Sequence, residues 1–370
     1  MNCRAVNYKA VRGREAAGPE TQAAEKMNFQ KIKDWLEIGK ATAAGRNLHV
    51  DALKGITIMF VVWAHTIQIN HPLKMDSYYY LTLSSFAMPL FMLLSGYIIN
   101  TQMKNTLPGF VKKYALRLIV PFFVWSVIVY LRYRYYSHIS LPVYLLTLAK
   151  FPANGLWFLW ALFLNSAVLF AVLRLVRRKK WERWENYLVI ASIVLSRVAA
   201  TEYFGLSDFK VYYTYYAAGF FVCKYYDWVK ARRKIFYAVS IVAFPPLLMA
   251  FQSDKFPSFY PVLQEFFGDT GLARLTVSIY KYAIAFAGMG VVSFLLELAR
   301  RTRVYAFCAW TGLFTLDIYV IHGVFAWRCA PVLWQYAAVA VLTFVCSLAL
   351  TILVLRRFRL TRLIFLAQNR

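Results

Sequence analysis

Acidic residues are scarce in this chain: 17 Asp and Glu stand against 43 Lys and Arg in 370 residues, a formal net charge of +26. Cysteine is scarce too. The five are Cys3, Cys223, Cys308, Cys329 and Cys346, with no CxxC pair, so their spacing offers neither a zinc site nor a dithiol redox motif. No repeat of fixed period and no low-complexity tract is present, which counts against a transporter built from inverted repeats. Residues 1–45 are polar and mixed in charge and contain no cleavable apolar h-region, so no signal peptide is expected and membrane insertion relies on the first span. What abounds is apolar surface. The chain is 60% hydrophobic and 18% aromatic, too apolar for a soluble protein of this size, and its apolar runs repeatedly reach bilayer-spanning length.

The expected fold class is therefore all-α: a polytopic integral membrane bundle of about ten transmembrane helices, at roughly 52–71, 78–101, 114–131, 154–175, 186–204, 211–229, 235–251, 275–298, 304–327 and 333–355. Cations crowd alternate connections: Lys104, Lys112, Lys113 and Arg117; Arg174 to Arg183; Lys224 to Lys234; Arg300, Arg301 and Arg303; and the tail from Arg356. The other connections are cation-poor, so the positive-inside rule places both termini in the cytoplasm and accounts for the net charge without any nucleic acid. Three segments result: a cytoplasmic arm over 1–45, a transmembrane domain over 46–355 and a basic tail over 356–370. In the arm, Phe29, Ile32, Trp35 and Leu36 recur at helical spacing beside Lys31, Lys33 and Lys40, the pattern of an amphipathic helix on the inner leaflet. Met27 is an alternative start.

Ionisable side chains inside a bilayer are costly and mark function by default. Asp51, Lys54 and His65 share the opening helix; eleven steps of about 100° bring Lys54 and His65 to one face, about 16 Å apart along the axis. That puts a cation near the membrane edge and an imidazole near mid-depth. Asp51 and Lys54, one turn apart, can neutralise each other or leave Lys54 to an anion. In the second span Pro89 and Ser95-Gly96 predict a kink and a tight helix crossing. Lys113 and Arg117, four apart, make a cationic pair suited to phosphate. Asn154-Gly155-Leu156-Trp157 opens the fourth span at an interface, where tryptophan forms an aromatic belt or stacks on a sugar. Asp317 and His322 lie in one helix but about 140° apart, too far round to face one small site. Arg197 and Lys281 are also intramembrane, with Asp317 or Glu297 as expected partners.

Taken in order from residue 46 to 323, these segments resemble the membrane-bound acyltransferase family 3, whose bacterial members move acyl groups, usually acetyl, from acyl-CoA to surface or exported carbohydrates. The matching features are Lys54 with ten residues between it and His65, the aromatic-rich segment ending Ser95-Gly96, the basic run ending at Arg117, Leu156-Trp157-Phe158-Leu159, and Tyr319 with His322. Lys54 stands where the family commonly has arginine, a point charge in place of a bidentate fork. About 15 residues follow the last span in this sequence, so the additional esterase-like domain of some relatives is not expected.

The resemblance implies an acyl-CoA-dependent O-acyltransferase of the bacterial inner membrane, with acetyl-CoA as co-substrate and no tightly bound cofactor or metal. Lys54, Lys113, Arg117 and Ser95 are then the candidate acyl-CoA contacts. His65 is the candidate general base, with Asp317 or His322 to orient it or the sugar. Asp51, Asn154 and Trp157 are candidate contacts to the carbohydrate acceptor. Direct transfer and an acyl-histidine intermediate both remain open. The reading from another class is a transporter or exporter whose charges line its pathway.

Overall fold

Backbone in lipid has no water to bond to and must close its own hydrogen-bond ladders, and this chain does so with helices; no strand occurs among the described residues. The computed structural model describes residues 46–133, 139–198, 203–251, 257–268 and 270–366. The amphipathic segment expected between Phe29 and Lys40 lies outside the described residues, as does Met27.

The first half of the chain forms α1 (Leu48–Asn70), α2 (Tyr78–Ser84), α3 (Ala87–Tyr97), α4 (Leu107–Tyr114), α5 (Val120–Tyr133), α6 (Leu141–Lys150), α7 (Trp157–Arg178) and α8 (Glu185–Ser196). There follow α9 (Leu206–Lys224), α10 (Tyr226–Ala250), α11 (Tyr260–Phe267), α12 (Gly271–Leu298), α13 (Arg303–Thr311), α14 (Thr315–Ile321), α15 (Leu333–Leu350) and α16 (Arg359–Leu366).

The architecture is an all-α polytopic bundle. Seven stretches are long and apolar enough to cross a membrane, and α13 with α14 makes an eighth, bent by 69°. The ten spans read from the sequence differ from this at α8 and α9. α8 has only 12 residues. α9 runs for 19 residues but carries Asp208, Lys210 and Lys224 together with four tyrosines. Tyr213, Tyr215 and Tyr216 are buried, so α9 is clad by other helices instead of lipid and has no need of a uniformly apolar surface. Lys224 at the end of α9 bonds Glu185 and Asn186 at the start of α8, which makes the two helices antiparallel. One other boundary moves. Lys230 to Lys234, expected in a loop, continue as helix inside α10, in keeping with the high helix propensity of lysine and arginine.

Two backbone-to-backbone crossings set the core. Gly96 of α3 abuts Tyr216 of α9, where an added Cβ would lie 1.8 Å from the Tyr216 carbonyl oxygen, and Gly219 of α9 returns the contact at Leu93, 1.9 Å from its oxygen. This is the tight crossing expected at Ser95-Gly96. The expected kink is displaced: the chain breaks at Ser85-Phe86, and Pro89 sits in the first turn of α3, where no N–H is required. The second crossing joins α1 to α13 through Gly55 against the Cys308 carbonyl and Gly312 against the Asp51 carbonyl. Gly312 also ends α13, so the bend that launches α14 occurs directly against α1.

Candidate active site

The first half of the site gathers at the start of α1. Asn47 caps the helix, its side chain accepting from the His49 and Val50 N–H groups. Asp51, 4% exposed, receives both arms of Arg46, at 3.0 and 3.2 Å. Its partner is therefore Arg46 and not Lys54, and the bidentate bridge occupies both carboxylate oxygens. Lys54 makes no hydrogen bond or ion pair among the described residues, yet it lies within electrostatic reach of Asp51, Arg117 and Arg46. Arg117 is exposed and sits in a single π-helical turn, Ala115–Ile119, between α4 and α5. Such turns insert one residue and re-aim the side chains that follow, often at functional sites. Lys113 extends the basic group and donates to Gln102 at 3.0 Å. Ser95, half-buried beside the α3–α9 crossing, makes no side-chain hydrogen bond among the described residues.

The second half lies toward the other end of α1. His65 is five residues from the C-terminus of that helix, about 8 Å, and so closer to the far end of the bundle than the mid-depth expected. Its ring meets that of His322 edge to face, with centroids 4.9 Å apart and planes at 77°. The bend between α13 and α14 makes the meeting possible, because it directs α14 along the distal half of α1. Each imidazole has Nδ1 against a backbone carbonyl, Val61 for His65 at 3.2 Å and Tyr319 for His322 at 2.6 Å. A carbonyl only accepts, so each neutral ring carries its proton on Nδ1 and keeps a lone pair on Nε2.

His322 opens a 3-10 turn, His322–Phe325, which leaves carbonyls without helical partners inside the bundle. Side chains from other helices supply them: Arg132 donates to the Val324 oxygen, and Thr343 donates to the Phe325 oxygen at 2.9 Å. Asn70, at the end of α1, then clasps the chain beyond, donating to the Trp327 oxygen at 3.1 Å and accepting from the Cys329 N–H at 2.8 Å. Irregular backbone at this depth persists only where protein satisfies it or where it lines a cavity. The histidine pair is thus held from both helices.

From His322 a chain of rings leads to the start of α7. Tyr319 lies 5.7 Å from His322 and 5.2 Å from Phe158, and neighbouring Trp157 stacks on Tyr212 of α9 at 5.0 Å. Asn154 is exposed in the 3-10 turn just ahead.

Asp317 behaves otherwise. It is 1% exposed and bonds Arg356, 2.7 Å to Nε, while Arg356 also donates to the Leu313 carbonyl at 2.9 Å and lies over the Phe314 ring. Asp317 and His322 face different ways, as their angular separation implied. The pairing expected between Arg197 and Asp317 or Glu297 is not formed. Arg197 donates to the hydroxyls of Thr214 on α9 and Tyr282 on α12, and Glu297, fifteen residues or about 22 Å beyond Tyr282 along α12, bonds Arg300.

Sequence reasoning missed Gly55 and Gly312, although glycine inside an apolar helical pattern signals close backbone approach. The Phe158–Tyr319 contact carries no such signal.

A membrane-spanning helical bundle with cations at one end and a histidine pair toward the other is the class of protein this geometry defines. Residues 47–356 match the family model described as an acyltransferase domain, and the chain belongs to that membrane-bound acyltransferase family. Two proteins called Nodulation protein NolL are similar in part. That of Sinorhizobium fredii is 30% identical over 174 residues, covering 44% of this chain and 47% of that protein. That of Mesorhizobium japonicum is 26% identical over 190 residues, 50% of this chain and 49% of that protein. The chain thus spans about half the length of the curated relatives it matches. No solved structure matches it.

Proposed function

We propose that the protein moves an acyl group, acetyl by family resemblance, from acyl-CoA to a hydroxyl of a cell-surface or exported carbohydrate. It would do so in the bacterial inner membrane, with both termini and the basic end of the bundle in the cytoplasm, the side to which the positive-inside rule assigns its cations. The observation that carries the reading is the His65–His322 contact, lying three turns along α1 from Lys54 and its neighbour Arg117.

Lys54 and Arg117 receive the phosphates of acyl-CoA, aided by Lys113. The pantetheine chain then runs along the inner face of α1 past Ser95 to His65. His65 Nε2 takes the proton of the acceptor hydroxyl as its oxygen attacks the thioester carbonyl; the C–S bond breaks, and the departing thiolate regains that proton. His322 holds the His65 ring edge to face. Because His65 lies near the far end of the bundle, the acceptor reaches it from the side opposite the CoA, where Trp157 offers an aromatic surface.

Membranes containing the protein, incubated with radiolabelled acetyl-CoA and an extracted glycan fraction, are expected to move label into glycan with matching release of CoA. Label that stays in acetyl-CoA would overturn the reading. Lys54→Ala is expected to raise the KM for acetyl-CoA roughly 10- to 100-fold, the loss of one hydrogen bond to a charged group of about 1.5–3 kcal/mol. Lys54→Arg retains most of the affinity. An unchanged KM in the alanine variant would contradict the phosphate contact.

A further inference from the structure

The reaction outlined above leaves unused a half-buried acid, Asp208. It stands in the first turn of α9, and its Oδ2 is shielded from solvent with no hydrogen-bond partner among the described residues. A carboxylate is an acceptor with about four lone-pair sites, and an oxygen held from water without a donor loses the hydrogen bonds that water would give it. Such an orphan calls for a donor.

Its surroundings indicate the kind. Asp208 lies within electrostatic reach of Tyr319, the residue whose carbonyl accepts from His322 Nδ1. One turn further along α9, on the same face at i+4, Tyr212 stacks on Trp157. Phe158, next to Trp157, packs on the Tyr319 ring. The carboxylate and these flat rings therefore border one region, at the histidine end of the bundle. The cations proposed for the CoA phosphates, Lys54 and Arg117, lie at the other end. A CoA phosphate gains nothing beside a carboxylate. A polyol does: its hydroxyls donate to carboxylate oxygens while its C–H faces lie on aromatic rings.

We propose that Asp208 binds the acceptor, taking hydrogen bonds from hydroxyls of the sugar that presents its neighbouring hydroxyl to His65. The inference rests on the acyltransferase reading above and names a residue to which that reading assigned no role. Asp208 contacts substrate in the ground state as in the transition state, so its removal raises KM for the acceptor more than it lowers kcat.

The test compares the wild type, Asp208→Asn and Asp208→Glu in membranes supplied with radiolabelled acetyl-CoA and graded amounts of the extracted glycan fraction. Asp208→Asn is expected to raise the KM for glycan at least tenfold while the KM for acetyl-CoA stays within twofold, and Asp208→Glu to recover part of the loss. A unchanged glycan KM in Asp208→Asn overturns the inference and leaves the acyltransferase reading standing. So does a loss confined to kcat, or an equal rise in both KM values, since either marks a merely structural carboxylate. Absence of transfer by the wild type removes both readings together.

Discussion

Replacing His65 by alanine is expected to lower acyl transfer by about 10²- to 10⁴-fold, the usual contribution of a positioned general base, while the protein still inserts and folds in the membrane. The ring is half-buried and its one hydrogen bond among the described residues is local, from Nδ1 to the Val61 carbonyl one turn back, so its removal breaks no interhelical hydrogen bond among them. What goes is the Nε2 lone pair of a ring that meets His322 edge to face. His65→Gln separates shape from basicity, because the amide fills similar space without accepting a proton at neutral pH. Both variants should bind acetyl-CoA as the wild type does, since Lys54, the neighbour of Arg117, lies about 16 Å away along α1. Glycan labelling by His65→Ala at the wild-type rate would remove the ring from the mechanism. Wild-type labelling by His65→Gln with loss in His65→Ala would reduce its role to packing.

The helical phase relation of Lys54 and His65 was legible in the sequence because it depends on one helix alone, and α1 is unbroken from Leu48 to Asn70. The α3–α9 crossing was half legible: Ser95-Gly96 announced it, but Gly219 as the reciprocal contact depends on which helix lies opposite. The meeting of His65 with His322 was offered only through the family resemblance, as one alternative beside Asp317. It follows from the bend after Gly312, and a bend angle is set by packing against α1 at Gly55 rather than by local propensity. At α9 the span read from the sequence and the count of long apolar helices part for a related physical reason. Hydropathy measures fitness for lipid, and a helix enclosed by protein can carry tyrosines and charges that a lipid-facing helix cannot. Asp208 escaped notice on the same account, as an acid near a helix start is ordinarily solvated or capping, and only its burial distinguishes it.

The Asp317–Arg356 pair carries the largest expected effect on stability. Asp317→Ala leaves the Arg356 guanidinium in a mostly buried position without its carboxylate, and breaking such a pair by removing one partner costs about 3–5 kcal/mol. The loss should appear as a lowered unfolding midpoint in detergent and as reduced accumulation in the membrane. Asp317→Asn should fall between, since its amide oxygen still accepts from Arg356 Nε but carries no charge. If the two groups matter through each other, Asp317→Leu combined with Arg356→Met should recover much of the stability lost in either single variant, because well-packed apolar side chains often replace a buried ion pair at little cost. Activity supplies the second readout. Asp317 joins the end of α15 to the base of α14, one element away from His322, and a strictly positional pair would leave the KM for acetyl-CoA and for glycan near the wild-type values in whatever protein folds. A kcat that collapses in the stable double variant would instead place the carboxylate among the groups that act on His65 or the sugar, a role its orientation toward Arg356 argues against.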